Sequence, residues 1–224
     1  MELTRESLRS GRVRQQIIES GVDIGLLDEA ELTESRRATL AAATPGEDVW
    51  LFAYGSLMWN PTFHFTERHI GRVHGYHRRF CLWTHLGRGS PATPGLMLGL
   101  EPGGSCRGIA FRIAGAAVEE ETEIVWAREM ISAAYVPRWV RVRTSDGPVA
   151  AIAFTMNREF SRYAGRLPEP QVAATIATAR GSIGPCAEYL FETLAHLETL
   201  GIRDRALASL RKQVVAINEP SEQP

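Results

Sequence analysis

The sequence predicts an α+β fold, in which a small mixed β-barrel or strongly curved sheet is flanked by helices and preceded by a helical extension. Two observations favour this class. Short β-rich runs follow one another from Val49 onward and are separated by glycine and proline clusters, as in closed or curved sheets. Helical patterns precede the first run and interrupt or follow the later ones.

The predicted strands are rich in β-branched, aromatic and other apolar residues. They are Val49–Tyr54, Arg79–Thr84, Leu96–Leu100, Cys106–Ile113, Trp139–Arg143 and Val149–Thr155. Clusters such as Glu101-Pro-Gly-Gly104 are typical of the turns between strands. Three helical patterns are predicted over Ala116–Ser132, over Pro170–Arg180, and from Ala187 through His196 toward Ala216.

The first 46 residues are predicted to form a helical extension. Its two helices cover Leu3–Glu19 and Asp28–Ala43, and Asp28 with Glu31 predicts an N-cap with a capping box. We expect this extension to pack on the main domain or on a partner. The predicted domain organisation is residues 1–46 as the extension, 47–218 as the main domain and 219–224 as a C-terminal tail.

Composition and charge exclude several classes of partner. The chain has 224 residues, of which 44% are hydrophobic and 23% charged, with a net charge of −1. Neutral charge and dispersed arginines argue against nucleic acid or a membrane surface as a partner. No signal peptide and no run of 18 apolar residues is present, so a cytoplasmic protein is expected. The sequence gives no sign of an oligomeric state, and a monomer is slightly favoured.

Cysteine and histidine spacing predicts neither a disulfide framework nor a metal site. Cys81, Cys106 and Cys186 are odd in number and far apart, which favours buried thiols in a reducing compartment. The six histidines lack the spacing to Glu or Cys that zinc sites show. We therefore expect no metal.

The most informative segment is the break at Tyr54-Gly55-Ser56, where the first strand stops. Gly55 has no Cβ, and a strand break leaves neighbouring N–H groups without ladder partners. Such donors can face an anion or a polarised carbonyl. The alternative is an ordinary turn before Asn60-Pro61. Ser56 is a poor candidate nucleophile, because the segment lacks the second glycine of a G-x-S-x-G elbow.

A second unusual feature is a glutamate on an apolar helix face. Val118, Thr122, Val125 and Glu129 follow helical spacing, whereas the neighbouring glutamates, Glu121 among them, are expected to be solvated or at the helix entrance. Burial would raise the pKa of Glu129, which suits a general base. The structural alternative is an ion pair with an arginine: Arg128, Arg138 or Arg141.

Two adjacent arginines precede Phe80. If one of them, Arg79 in particular, faces a site, its guanidinium can hold a substrate carboxylate with two hydrogen bonds. The alternative is that Arg78 and Arg79 are solvated or stacked flanks of a strand.

Five blocks of the sequence together resemble the ChaC family of glutathione-specific γ-glutamylcyclotransferases. They are Phe52–Pro61, Gly75–Phe80, Gly108–Arg112, Arg128–Met130 and Gly181–Leu190. Their order and spacing agree over about residues 49 to 200. The resemblance implies a γ-glutamylcyclotransferase-like small β-barrel with flanking helices. It also implies cleavage of glutathione into 5-oxoproline and cysteinylglycine without a metal or organic cofactor.

The resemblance also implies site residues. The catalytic glutamate of the family's Arg-Glu pair carries over to Glu129. The substrate cradle maps to the end of the first predicted strand and the break after it: Leu51, Phe52, Ala53, Tyr54, Gly55, Ser56 and Leu57. Tyr163 resembles a family tyrosine near the site, and an acidic residue on a mobile lid falls at Glu120.

Two departures from the family pattern mark a subgroup. Ala53 stands where many relatives have glycine, and Met130–Tyr135 replaces the common Lys-Gly-Gly-Tyr. Two other functions stay open: a cyclotransferase for another γ-glutamyl amide, and a non-catalytic binding or regulatory protein on the same scaffold. The latter would be marked by loss of the glutamate, and Glu129 is present.

Overall fold

The computed structural model describes residues 2–219, which fall into two compact units. One unit comprises residues 2–79 and 99–160, and the other residues 80–98 and 161–219. Of the predicted tail, only Glu219 belongs to the described residues. No helix between residues 2 and 219 has both the length and the apolar character needed to cross a membrane.

The larger unit contains four helices and most of a five-stranded barrel. Its helices are α1 (Arg5–Arg9), α2 (Arg12–Glu19), α3 (Glu29–Leu40) and α4 (Val118–Glu129). The strands are β1 (Val49–Ala53), β2 (Glu67–Thr84), β3 (Gly95–Ile113), β4 (Tyr135–Thr144) and β5 (Gly147–Met156). The ends of β2 and β3 from Phe80 to Leu98 belong to the other unit.

The strands close into a barrel in the order β1-β3-β2-β4-β5. β1 pairs antiparallel with β3 and parallel with β5, so the sheet is mixed. The side chains of Phe52, Phe111, Phe154 and Trp126 are almost completely buried, and the rings of Trp126 and Phe154 meet edge to face. The prediction of a small mixed barrel with flanking helices is confirmed.

Three strands are longer than predicted, and one of them, β4, begins at Tyr135 rather than Trp139. β2 begins at Glu67 rather than Arg79, and in its first half exposed residues alternate with buried or half-buried ones. β3 joins two predicted strands through the Pro102-Gly103-Gly104 segment, where both glycines have positive φ (107° and 67°). The turn signal therefore marks an irregular, exposed stretch of one long strand.

The extension belongs to the larger unit and packs on its α4 and β4, in agreement with one of the two roles expected for it. The indole N–H of Trp126 in α4 donates to Ser35 Oγ (3.2 Å), and that of Trp139 donates to the Thr39 carbonyl (2.9 Å). The capping box of Asp28 and Glu31 is present at the start of α3. The first predicted helix is divided at Gly11, whose φ of 69° is not helical.

The smaller unit is mainly helical. It contains α5 (Glu169–Thr178), the short hairpin β6 (Arg180–Gly181) and β7 (Gly184–Pro185), α6 (Cys186–Thr199) and α7 (Arg205–Asn218). The single long pattern from Ala187 forms two helices, because Gly201 adopts a positive φ of 66°.

Candidate active site

The candidate site begins where β1 ends. Leu51, Phe52 and Ala53 are each 1% exposed and lie between β3 and β5 in the barrel wall. A Cβ on Gly108 of β3 would lie 2.1 Å from the Ala53 carbonyl oxygen. Only glycine therefore allows the two strands this approach at the point where the chain leaves the barrel.

Tyr54 anchors the segment that follows. Its hydroxyl donates to the Phe154 carbonyl (2.8 Å), and its own carbonyl accepts from the Arg78 guanidinium (2.6 Å). Arg78 is buried and also donates to the Arg107 carbonyl. The side chain of Tyr54 is thus fixed to the barrel wall at Phe154, and Arg78 fixes the main chain at Tyr54.

The main-chain donors after Tyr54 point away from the ladder. Ser56–Met58 forms a 3₁₀ turn in which the Met58 N–H donates to the Gly55 carbonyl (2.9 Å). Within residues 2–219, the N–H groups of Gly55, Ser56 and Leu57 have no hydrogen-bond acceptor in the protein. The expected set of spare donors at the strand break is present.

Arg128 joins this segment to Glu129. Its guanidinium donates to Ser56 Oγ (3.0 Å) and the Asn60 carbonyl, and lies 3.4 Å from Thr62 Oγ1. Its Nε lies 3.0 Å from Glu129 Oε1. The structure thus brings Ser56 and Glu129 together through one side chain, and the expected arginine partner of Glu129 is Arg128 rather than Arg138 or Arg141.

Glu129 is the last residue of α4, and its side chain is 16% exposed. Burial raises the pKa of this carboxyl above its ordinary value, and the opposing effect of Arg128 is smaller. The negative end of the helix dipole disfavours the anion as well. The predicted stripe is buried at Thr122 and Val125, so the carboxylate does lie on a packed face.

Of the two positions expected for Glu121, the structure has the helix entrance, in the first turn of α4, and not the solvated one. This carboxylate is 2% exposed, forms an ion pair with Arg5, and accepts the His64 backbone N–H (2.8 Å). Burial raises the pKa of Glu121, but the hydrogen bonds from Arg5 and His64 and the charge of Arg5 outweigh it and lower the pKa. The sequence could not reveal this partner, because Arg5 lies 116 residues away.

Three other predicted site residues have separate partners. Arg79 forms an ion pair with Glu101, which is 1% exposed. Glu120 lies in the first turn of α4 and pairs with Arg5 (3.0 Å). Tyr163 belongs to the smaller unit, where it forms a β-bridge with Leu82. Arg78 was a candidate only alongside Arg79, and Arg128 only as an ion-pair partner of Glu129. Their contacts with Tyr54 and Ser56 were not predicted, although both arginines lie in blocks that carry the resemblance.

One cluster in the described chain has ligand atoms close enough for a metal ion: Glu67, His69 and Asp146, within 4.8 Å of one another. Both ring nitrogens of His69 already face carboxylates, one from each acidic residue. Glu67 also pairs with Arg112 at 2.9 Å. The imidazole thus lies between two carboxylates, and the cluster shares no residue with the site at Glu129.

Comparison with known proteins gives concordant results. A family model described as ChaC-like protein matches residues 49–217. A glutathione-specific gamma-glutamylcyclotransferase of Escherichia coli (strain K12) is 40% identical over 206 residues, covering 88% of this chain and 89% of that protein. Its human counterpart, glutathione-specific gamma-glutamylcyclotransferase 1, is 30% identical and covers 79% of this chain and 85% of that protein.

The fold has a parallel among solved structures. A crystal structure of the yeast γ-glutamylcyclotransferase specific to glutathione matches 79% of this chain and all of that chain, with a TM-score of 0.71 and 20% identity. This likeness supports the architecture of the chain.

Proposed function

The chain belongs to the ChaC-like family, and on that premise we propose that it cleaves glutathione into 5-oxoproline and cysteinylglycine. The observation that carries the proposal is the link from Ser56 through Arg128 to Glu129. It joins a segment with spare N–H donors to a carboxylate whose pKa is raised. The 40% identity to the Escherichia coli enzyme supports glutathione as the substrate.

In this proposal Glu129 is the general base. The γ-glutamyl amine is an ammonium at neutral pH and cannot attack a carbonyl until it loses a proton. A carboxylate with a raised pKa is a stronger base than an exposed one. Arg128 restrains the rise in pKa, and it holds the carboxylate at a fixed position beside the Tyr54–Leu57 segment.

The N–H groups of Gly55, Ser56 and Leu57 are the proposed oxyanion donors. Attack of the amine nitrogen on the γ-carbonyl carbon places a negative charge on the carbonyl oxygen. Fixed donors aimed at such an oxygen each accelerate a reaction by about 10²–10³-fold. Ring closure is intramolecular, so orientation in the cradle supplies up to ~7–11 kcal/mol of the barrier.

The proton balance of the reaction closes without another reactant. The amine nitrogen forms a bond to the γ-carbonyl carbon, and the amide bond from that carbon to the cysteine nitrogen breaks. The substrate ammonium loses two protons, one before it attacks and one as its nitrogen becomes the lactam N–H, and Glu129 takes each in turn and passes it to the leaving cysteine nitrogen. The products are the 5-oxoproline lactam and cysteinylglycine, whose new amino group leaves as an ammonium.

The remaining assignments are also part of the proposal. Leu51, Phe52 and Ala53 shape the cradle from the barrel wall. For Arg79 and Glu120 to bind substrate or act on a lid, each would have to leave the acidic or basic partner described above. The reaction is placed in residues 47–218 and in the cytoplasm, a compartment that suits the three buried cysteine thiols.

The test is release of 5-oxoproline from glutathione by the purified protein and by Glu129→Gln. The variant keeps the size of the side chain and removes the base, so kcat should fall by about 10²–10⁴-fold. Glu123→Gln is the matched control, because it removes an exposed carboxylate from the same helix and should retain full activity.

Full activity of Glu129→Gln would contradict the mechanism. An inactive wild-type protein would contradict the function. Turnover of γ-glutamyl-alanine or γ-glutamyl-lysine in preference to glutathione would keep the chemistry and change the substrate.

A further inference from the structure

The first residues of the chain lie outside the segment that the family model matches, yet they contact the loop beside the candidate site. The side-chain amide of Asn60 donates to the Leu3 carbonyl (2.9 Å). Arg5 binds Glu121 of α4 with both guanidinium nitrogens, one of the two bonds measuring 2.9 Å. The N-terminal residues thus hold both the loop and the helix.

Glu121 binds the other end of the same loop, which comprises residues 60–64. Its nearly buried carboxylate accepts the His64 backbone N–H (2.8 Å) while it binds Arg5. A buried carboxylate with a bidentate arginine and a main-chain donor has little freedom to move, because losing any of these bonds leaves a charge uncompensated. Residues 60–64 are therefore anchored at both ends by contacts that include the N-terminal segment.

The anchored loop in turn holds Arg128. The Asn60 carbonyl accepts from its guanidinium, and Thr62 Oγ1 lies within 3.4 Å. Arg128 then contacts the Glu129 carboxylate through Nε. A continuous chain of hydrogen bonds leads from Leu3 through Asn60 and Arg128 to Glu129.

We propose that residues 2–9 are part of the active-site scaffold, in which Leu3 and Arg5 fix the loop that positions Arg128 and thereby Glu129. This inference rests on the proposed function, since it takes Glu129 as the base. Arg5 and Asn60 are positioning residues, because neither contacts the reacting atoms. A displacement of about 1 Å of a catalytic group lowers a rate by as much as 10²-fold, so small movements of Arg128 matter.

The pKa of Glu129 reports on the position of Arg128, because of the charged groups that surround the carboxylate. On its own helix, Arg128 is the charged group that faces the carboxylate. On the facing loop, residues 56–64 contain one titratable side chain, His64, and this residue contacts Glu121 instead. Loosening the loop should therefore weaken the one cation that restrains the pKa of Glu129.

The experiment compares Arg5→Ala and Asn60→Ala with Arg36→Ala. Arg36 is a matched control, because it also joins the extension to α4, through Glu119 at 2.5 Å, but contacts nothing in the loop. The readouts are kcat and KM for glutathione, thermal unfolding, and the pKa of Glu129 followed by NMR of ¹³C-labelled glutamate side chains. Loss of one signal in Glu129→Gln assigns the resonance.

We expect Arg5→Ala and Asn60→Ala to lower kcat by about tenfold with KM within about twofold, and to raise the pKa of Glu129 above its wild-type value. Arg36→Ala should change neither. Arg5→Lys should recover part of the effect, since lysine keeps the charge but not the two-pronged geometry.

A lower unfolding temperature with kcat and the pKa of Glu129 unchanged would show that the segment only stabilises the fold, and would overturn the proposal. If Arg5→Ala does not fold, Asn60→Ala decides, because it leaves the pair of Arg5 and Glu121 intact. If the wild-type protein releases no 5-oxoproline, the proposed function fails, while the NMR titration still decides whether the segment positions Glu129.

Discussion

The two ends of α4 carry two poorly exposed carboxylates with opposite electrostatics. Glu121, in the first turn, binds Arg5 and the His64 N–H, and the positive end of the helix dipole favours its charge. Glu129, the last residue, has one cation beside it and lies at the negative end of the dipole. The pKa of Glu121 is lowered, and that of Glu129 is raised.

This difference distinguishes a glutamate that stabilises the fold from a glutamate that can act as a base. A carboxylate with complete partners stabilises the fold and has no tendency to take a proton. A carboxylate that is desolvated and only partly compensated is a better base, and its ionised form destabilises the fold. Eight residues of helix, about 12 Å, separate the two roles.

The largest expected effect in this comparison is on stability, at Glu121. Glu121→Gln removes the buried anion of Arg5, which keeps only the exposed Glu120, and should lower the free energy of unfolding by about 1.5–3 kcal/mol. A lowered pKa contributes stability that is present above the unfolded-state pKa and is lost as pH falls through the folded one. Urea unfolding at neutral and acidic pH should show the difference from wild type shrinking in acid.

The control for this experiment is Glu119→Gln. Glu119 also pairs with an arginine of the extension, but its side chain is 80% exposed, so its loss should change stability by less than ~1 kcal/mol. Equal effects of the two substitutions would mean that burial does not distinguish the two ion pairs.

The next effect concerns the cation beside Glu129. Arg128→Gln removes the group that opposes the rise in pKa, so the pKa of Glu129 should rise further. The acidic limb of the kcat/KM profile, already above the ordinary 4.5 of a glutamate, should then move to higher pH. At a pH between the acidic limb of the wild type and that of the variant, kcat/KM of the variant should be about tenfold below wild type. The reason is that a smaller fraction of Glu129 is ionised in the variant.

A limb that stays in place in Arg128→Gln would show that Arg128 does not set the pKa of the base. A second profile, measured with Arg141→Gln, serves as the comparison, because Arg141 is an exposed arginine of β4.

Much of the fold could be predicted from the sequence, because the buried strands are apolar throughout. β1 and β5 appear at nearly their true bounds. The first half of β2 was not predicted, because its half-buried positions include Glu67 and His69 while Ile70 is exposed, so apolar and polar residues do not alternate in the sequence. The interruption predicted within β3 was wrong because local turn chemistry was overridden by the long ladder around it.

Prediction of the site depended on how local each signal is. The strand break after Ala53 and the misplaced glutamate at position 129 are visible in short windows of sequence. The ion pair of Arg5 with Glu121 and the contact of Arg128 with Asn60 join residues more than 60 positions apart. Helical spacing gives the face of a side chain but not its partner, which is why the burial of Glu121 against Arg5 was not predicted.

A smaller effect is expected on stability at Glu129. Because its folded pKa is raised, the ionised form destabilises the protein as pH rises above the unfolded-state value, and the penalty is complete above the folded pKa. Glu129→Gln mimics the protonated form, so it should raise Tm by about 2–4 °C at neutral pH, as expected for ~1 kcal/mol in a chain of this size. Calorimetry at pH 8 and pH 4 should show the gain only at the higher pH. A lower Tm at pH 8 would mean that the Arg128 contact outweighs the burial of Glu129.

The smallest expected effect is at Ser56, which tests whether the spare N–H groups or a hydroxyl carry the chemistry of the cradle. The Ser56 hydroxyl accepts from Arg128, and its backbone N–H is one of the spare donors. Ser56→Ala removes the first and keeps the second, so kcat should fall by less than about tenfold, the equivalent of one net hydrogen bond. Steady-state release of 5-oxoproline measures this. A loss comparable to that of Glu129→Gln, together with a burst of cysteinylglycine in the wild type, would instead identify Ser56 as a nucleophile. Glu129 would then act as a base on the serine hydroxyl rather than on the substrate amine. The contrast between the ends of α4 would no longer account for the chemistry.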